Sequence, residues 1–113
     1  MEQRKYIRYQ VEYAGSFSGD GITGQCVIVD LSSAGCRARS TITVGKGEFL
    51  GVLIDVPRYE TPLQVALAVV RWSHSQEFGL EFIRMEPNHQ QRLRELIQAT
   101  EAAMALPQDT ETQ

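Results

Sequence analysis

The stretch Cys26-Val27-Ile28-Val29-Asp30-Leu31-Ser32-Ser33-Ala34-Gly35-Cys36-Arg37-Ala38-Arg39 decides how the chain is read. Its first four residues are apolar and mostly β-branched, the side-chain type that fits a pleated, half-buried surface, and its last four alternate. Between them, Asp30 to Gly35 bring a carboxylate, two hydroxyls and a glycine, so the segment reads as a strand, a connection and a further strand. Asp and Ser in a connection bond neighbouring backbone amides, and Gly tolerates a positive φ. A plain turn therefore accounts for every polar residue there, and the connection taken alone requires no ligand.

The same two-residue period extends in both directions. Upstream, Tyr9, Val11 and Tyr13 alternate with Gln10 and Glu12 in a first strand from Tyr9 to Phe17. Ser18-Gly19-Asp20-Gly21 closes a hairpin, and Ile22 to Leu31 returns antiparallel. Downstream, Cys36 to Ile42 forms a third strand, ended by Val44-Gly45-Lys46-Gly47, whose glycines suit a tight, exposed turn. Phe49 to Val56 makes the fourth strand, stopped by Pro57, which cannot donate to a ladder. Leu63 to Trp72 makes the fifth, Ser73-His74-Ser75-Gln76 a turn, and Phe78 to Ile83 the sixth. Six short strands with no helical pattern between them predict an all-β antiparallel barrel or sandwich rather than βαβ units.

One helix is expected at the end, over 87–105. Pro87-Asn88 can start it, and Leu93, Leu96, Ile97, Thr100 and Met104 repeat at helical spacing, so one side packs on the strands. Residues 1–8 read as a flexible arm, 9–86 as the strand body, and 106–113, beyond Pro107, as a polar tail expected to be disordered. With 113 residues, of which 42% are hydrophobic, the chain fits a single domain around one core.

Composition excludes several function classes. A net charge of −3 and a sequence pI near 5.3 leave no whole-surface basic field for DNA or RNA, so an anionic ligand has to be held locally. No run approaches the roughly 18 apolar residues of a membrane span, and no apolar signal segment follows the N-terminus, so a cytoplasmic location without membrane insertion is expected. Cys26 and Cys36 match neither a CxxC pair nor a zinc knuckle, and in a reducing compartment they read as buried core thiols. His74 and His89 stand apart from each other and from any acidic pattern, and no GxxxxGK[ST] loop occurs. No catalytic residue, metal or cofactor is therefore assigned, and the chain is not expected to be an enzyme. Trp72 reads as a core or rim aromatic, with Arg71 beside it able to help hold an anion.

Two arginines in the arm, Arg4 and Arg8 of Arg4-Lys5-Tyr6-Ile7-Arg8, have RxxxR spacing. In an extended segment their guanidinium groups can converge on one ligand, although such a pair is ordinarily a solvated surface feature. Combined with Asp30, Ser32 and Gly35, which make a DxSxxG pattern later in the chain, the arm resembles the PilZ domain family, whose signature is RxxxR followed by (D/N)xSxxG. Val70-Arg71-Trp72 and Gly79-Leu80-Glu81-Phe82 resemble the family's late strands as well. Two departures stand out: Gln3 where many members carry arginine, and Ala34 where many have glycine.

The resemblance implies a six-stranded antiparallel PilZ-type β-barrel with a C-terminal helix, and a receptor for the bacterial second messenger cyclic di-GMP. It implies that Arg4, Arg8, Asp30, Ser32 and Gly35 bind the ligand, with Lys5, Ser33, Arg71 and Trp72 as further candidates nearby. The chemistry agrees. Arginine pairs in bidentate fashion with guanine O6 and N7 or with phosphate, and its flat face stacks on a purine. An ionised Asp30 accepts guanine N1 and N2 hydrogens, Ser32 offers a hydroxyl, and Gly35 lets backbone approach closely. Gln3 in place of arginine favours one bound dinucleotide over an intercalated pair. Binding is expected to order the arm over the barrel. Because the chain starts three residues before Arg4, a stand-alone adaptor that presents a ligand-dependent face to an unidentified effector protein is expected, as a monomer or weak dimer. The competing expectation is an adaptor of the same fold that contacts proteins without binding nucleotide.

Overall fold

The structure, a computed structural model, describes residues 7–111, with side chains as far as Ala103. Six strands, β1 (Tyr9–Gly19), β2 (Ile22–Leu31), β3 (Gly35–Arg39), β4 (Phe49–Ile54), β5 (Leu63–His74) and β6 (Glu77–Arg84), precede one helix, α1 (Pro87–Glu111). The strands close on themselves in the order β1-β2-β3-β6-β5-β4, each neighbouring pair antiparallel. Of the barrel and the sandwich that alternation leaves open, the chain makes the barrel, whose closure removes exposed sheet edges.

Alternate residues of each strand point inward. Ile28, Ile54, Leu63 and Val65 are wholly inaccessible, and Phe17 meets Phe78 edge to face with ring centroids 5.6 Å apart. Each such side chain contributes about 1.5–3 kcal/mol by leaving water. Cys26 and Cys36 belong to this core as unpaired thiols, as expected. The β1–β2 hairpin closes through Asp20-Gly21, with Gly21 at φ 78°, a backbone conformation that glycine adopts without steric penalty.

Strict alternation fails at several places, two of which shape the outer wall. In β2, Ile28 and Leu31 lie three apart and yet both enter the core. A bulge makes this possible: Ile28 faces Ala38 and Asp30 faces Arg37, so Val29 is the extra residue. Without it, Asp30 would follow Ile28 into the interior; with it, Asp30 turns to the outer wall beside Arg37. The same device recurs in β5. Val70 faces Leu80 and Trp72 faces Gly79, Arg71 being the extra residue, so Trp72 leaves the core parity of Ala68 and Val70 and is 40% exposed outside.

Several expected boundaries shift. The third strand ends at Arg39 rather than Ile42, because β3 neighbours β6 whereas β4 lies between β1 and β5. Residues 40–48 must therefore cross the end of the barrel. What reads in sequence as an exposed turn at 44–47 instead puts Val44 into the core at 2% exposure. Ser40 Oγ donates to Gln25 O at 2.6 Å and Gly47 N to Val70 O at 2.7 Å, tying the crossing down at both ends. β4 stops at Ile54, and β5 runs on to His74, so its turn is Ser75-Gln76.

The helix continues past the expected end at 105 to Glu111, taking in Pro107 and residues assigned above to a disordered tail. A proline in a helix removes one N–H and crowds the preceding turn, which weakens the helix without forbidding its continuation. On α1, Leu93 is buried in the core, with Leu96 and Ile97 packed partly against it. His89, which stands apart from any acidic pattern in the sequence, accepts a hydrogen bond from Gln64 N through Nδ1 at 3.0 Å. Arg92 lies over the Tyr59 ring at 4.6 Å and donates to the carbonyls of Thr61 and Pro62. The helix thus satisfies backbone groups at the start of β5, where β6 does not reach.

Candidate functional site

The outward side chains that the bulges produce fall into one row across the barrel wall. Gln10 pairs with Asp30, Asp30 with Arg37, Arg37 with Gly79, and Gly79 with Trp72, so five strands each supply one member. Adjacent strands lie about 4.8 Å apart, which makes the distance from Asp30 to Trp72 about 14 Å along the row.

Asp30 is the centre of charge. Its Oδ1 accepts from Arg8 Nη1 and from the backbone N of Arg37, both at 3.0 Å. Its Oδ2 lies 3.5 Å from Arg37 Nε, close enough for an ion pair but without hydrogen-bond alignment. The Asp30 side chain is 13% exposed, against 45% for Arg8 and 39% for Arg37. Pairs so open to solvent contribute at most about 1 kcal/mol each. The part-buried backbone bond is what fixes the carboxylate, and the half-exposed Arg8 head is held only by its ion pair.

Ser32 and Gly35 shape the connection below Asp30. Ser32 is 2% exposed; its Oγ accepts from Ala34 N at 3.1 Å and Gly35 N at 3.2 Å and donates to Gly35 O at 3.3 Å. The hydroxyl donor expected to meet a ligand is thus used within the turn. Gly35 shows no positive φ. What it supplies is the absence of a Cβ, which would overlap the carbonyl oxygen of Leu80 on β6. The close backbone approach expected at this glycine is to the neighbouring strand. Phe82 N donates to Ala34 O at 2.8 Å and completes the attachment of the turn to β6.

Of the remaining candidates, Arg4 and Lys5 lie outside the described residues. Ser33 is exposed at the tip of the turn and lines a groove of about 300 Å³ with Phe82, Arg84, Gln90 and Arg94. Arg71, the β5 bulge residue, is held by Glu81 through both Nε and Nη2. Trp72 lies across Gly79, where a Cβ would overlap its indole nitrogen. The structure therefore brings Arg8, Asp30 and Trp72 to one wall and uses Ser32 and Gly35 to build it.

Arg37 is the charged member of the row that the sequence does not single out. It stands two residues after the motif glycine in what looks like ordinary strand alternation, and only its pairing with Asp30 reveals it. Its Nε is buried with no hydrogen-bond partner among the described residues, and Nη1 is 3.9 Å from Glu77. An unpaired buried N–H costs about 1–3 kcal/mol, which makes this atom an exception that calls for a reason.

Tyr9, next to Arg8, carries the site's root to the helix: its hydroxyl donates to Glu101 Oε2 at 2.7 Å. That hydrogen bond, with some desolvation, raises the Tyr9 pKa above 10.0. Among the described residues no group of three potential metal ligands occurs, and no helix is long and apolar enough to cross a membrane.

Comparison with known proteins fits this architecture. The inhibitor of motility MotI/DgrA of Bacillus subtilis superposes with a TM-score of 0.76 at 19% identity, over 93% of this chain and 54% of that one. YcgR of Escherichia coli, in complex with cyclic di-GMP, superposes with 0.76 at 14% identity, over 96% of this chain and 50% of that one. The PilZ domain of YcgR with cyclic di-GMP gives 0.74 at 14% identity, covering 96% and 98%. The chain thus spans about half the length of the first two proteins. At these identities the likeness establishes the fold, and no curated protein sequence matches the chain. The PilZ domain profile matches residues 2–99, and the chain belongs to the PilZ domain family.

Proposed function

We propose that this chain is a receptor for cyclic di-GMP that holds the dinucleotide against the outer wall of the barrel and presents the complex to a protein effector. The observation that carries the reading is the state of Asp30. Two guanidinium groups flank its carboxylate, yet Oδ2 accepts no hydrogen bond among the described residues. A carboxylate has about four lone-pair sites, so Oδ2 can take the N1 and N2 hydrogens of a guanine while Oδ1 keeps its backbone bond. Arg8, half exposed on a weak pair, can turn onto guanine O6 and N7 or a phosphate oxygen, with Arg4 and Lys5 of the arm joining it. Ser32 and Gly35 hold the wall in shape beneath. YcgR, similar in fold and bound to this ligand, supports the choice of dinucleotide.

The relay starts at the arm. A ligand that draws Arg8 from Asp30 pulls on the residue before Tyr9, whose hydroxyl is bonded to Glu101 of α1, so the arm's ordering and the set of the helix change together. The groups the wall offers among the described residues are recognition groups, and the reading assigns them binding alone.

Calorimetric titration of the full chain with cyclic di-GMP tests the reading. Saturable heat is expected for the wild type, and a loss of about tenfold or more in affinity for Arg8→Ala, which removes a charge-assisted contact. Absence of heat with the wild type ends the receptor reading in favour of an adaptor that needs no nucleotide. Chromatography of the incubated ligand should show unchanged cyclic di-GMP, and amide exchange of residues 1–8 should slow on binding.

A further inference from the structure

We infer that the groove between the end of β6 and α1 is where the effector protein docks, and that the segment it takes is acidic, with an apolar side chain to bury. The inference rests on the receptor reading for the existence of an effector and names the surface that meets it. The floor of the groove is apolar: Phe82 and Met85 line it from the strand side and Leu93 from the helix, around about 300 Å³. That is the small end of binding pockets, suited to the side chains of a segment rather than to a folded domain. A further bulge adds to it. Leu67 faces Arg84 and Ala68 faces Phe82, so Ile83 is an extra residue of β6, left 47% exposed at the groove. A lone exposed isoleucine is ordinary on a protein surface, but one set beside an apolar floor gives a partner's side chain somewhere to leave water.

Charge selects the occupant. Arg84 and Arg94, both exposed and from two different elements, are the ionisable side chains that line the groove among the described residues. Neither has a carboxylate partner among those residues, whereas Arg8, Arg37 and Arg71 each lie beside one. Arg94 bonds only to the neutral amide of Gln91, at 2.8 Å. On a chain of net charge −3, two cations left without an acid beside an apolar floor complement an acidic segment and reject a basic one. The dinucleotide is the poorer fit, because no carboxylate lines the groove to accept a guanine edge. The groove also adjoins the proposed ligand wall. Ser33 at its rim belongs to the turn that Ser32 and Gly35 build, and Phe82 N donates to Ala34 O of that turn. A partner seated there shares the turn with the wall, so a nucleotide at Asp30 can alter the groove through it.

The test titrates fluorescein-labelled hexapeptides into the full chain with cyclic di-GMP present and absent, following anisotropy. One alternates glutamate with leucine, one glutamate with serine, and an unlabelled competitor alternates lysine with leucine. The first should bind saturably and more weakly as salt is raised. The second, which has the charge without the anchor, should bind about tenfold more weakly, and the competitor should not displace the first. Arg84→Glu and Arg94→Glu should each weaken the first peptide by about tenfold or more, and Ile83→Ser by about fivefold. Their melting temperatures and their calorimetric affinity for cyclic di-GMP should match the wild type. Arg58→Glu, an exposed arginine on the loop between β4 and β5, should bind the peptide as the wild type does. If Arg84→Glu does not fold, Arg84→Gln decides, with a smaller loss in the same direction. No binding of the glutamate–leucine peptide, or wild-type affinity for it in either arginine variant, overturns the inference and leaves the receptor reading standing. So does a loss of cyclic di-GMP affinity in those variants, which hands the groove to the nucleotide. Absence of heat with cyclic di-GMP in the wild type ends the receptor reading, while peptide binding that the arginine variants lose would still establish the groove.

Discussion

At Gly35 the missing side chain is a packing requirement. A Cβ there would overlap a carbonyl oxygen of β6, backbone against backbone, so neither side can yield by changing a rotamer. Gly35→Ala is expected to cost about 3 kcal/mol, the upper range for an overpacked site, measured as a lowered denaturation midpoint, and to weaken ligand binding with it. Gly79 looks similar and differs in kind, because its obstacle is the indole of Trp72, an outer-wall side chain able to swing away. Gly79→Ala should leave stability within about 1 kcal/mol while moving tryptophan emission to longer wavelength as the indole enters water. Asp30, Ser32 and Gly35 were legible as a motif because their types and spacing recur together. Their separate duties were not, since a hydroxyl used in a turn and one offered to a ligand look the same in sequence.

Among the elements, the strands announce themselves by alternation, and their irregularities do not. Nothing in the strand pattern marks Val29 or Arg71 as a bulge, yet each is the one extra residue that turns Asp30 or Trp72 outward. A bulge depends on how many residues the partner strand contributes, which no single strand reveals. The helix is similar. Its apolar spacing predicts one packed side, but the contacts that seat it are polar: His89 on Gln64 N, and Arg92 on Tyr59, Thr61 and Pro62. Arg92→Ala should destabilise the protein by about 1 kcal/mol through lost charge-assisted bonds to the Thr61 and Pro62 carbonyls and the lost stacking on Tyr59. Arg94→Ala, whose described partner is Gln91 on the helix surface, should stay within about 0.5 kcal/mol. Parallel thermal melts check the contrast.

For the whole molecule, the thiols set the alkaline limit. Burial pushes the Cys26 thiol up to about 11 and raises Cys36 further in the same direction, from an ordinary value of 9.0. Both folded pKa values lie above the unfolded one, so the folded state binds more protons once the pH passes 9, and stability is present in full below that point and lost as pH rises toward 11. Tyr9, raised by its bond to Glu101, adds to the fall from pH 10 upward. Denaturation midpoints should therefore decline with pH above about 9, and less steeply in Cys36→Ala, while remaining unaffected by these groups nearer neutrality. A midpoint that is flat from pH 8 to about 10.5 would contradict the burial of both thiols.

Six strands, a final helix, the two motifs and the family they resemble can all be read from residue order, because periodicity and residue spacing are local properties of a chain. Closure, strand order and the crossing at residues 40–48, which makes Val44 a core residue, were decided only by tertiary structure, since they depend on which strands become neighbours. The transverse row is decided at that level too. Asp30, Arg37, Gly79 and Trp72 are scattered over four strands, and they share one wall because two bulges shift the side-chain parity of β2 and β5 by one residue.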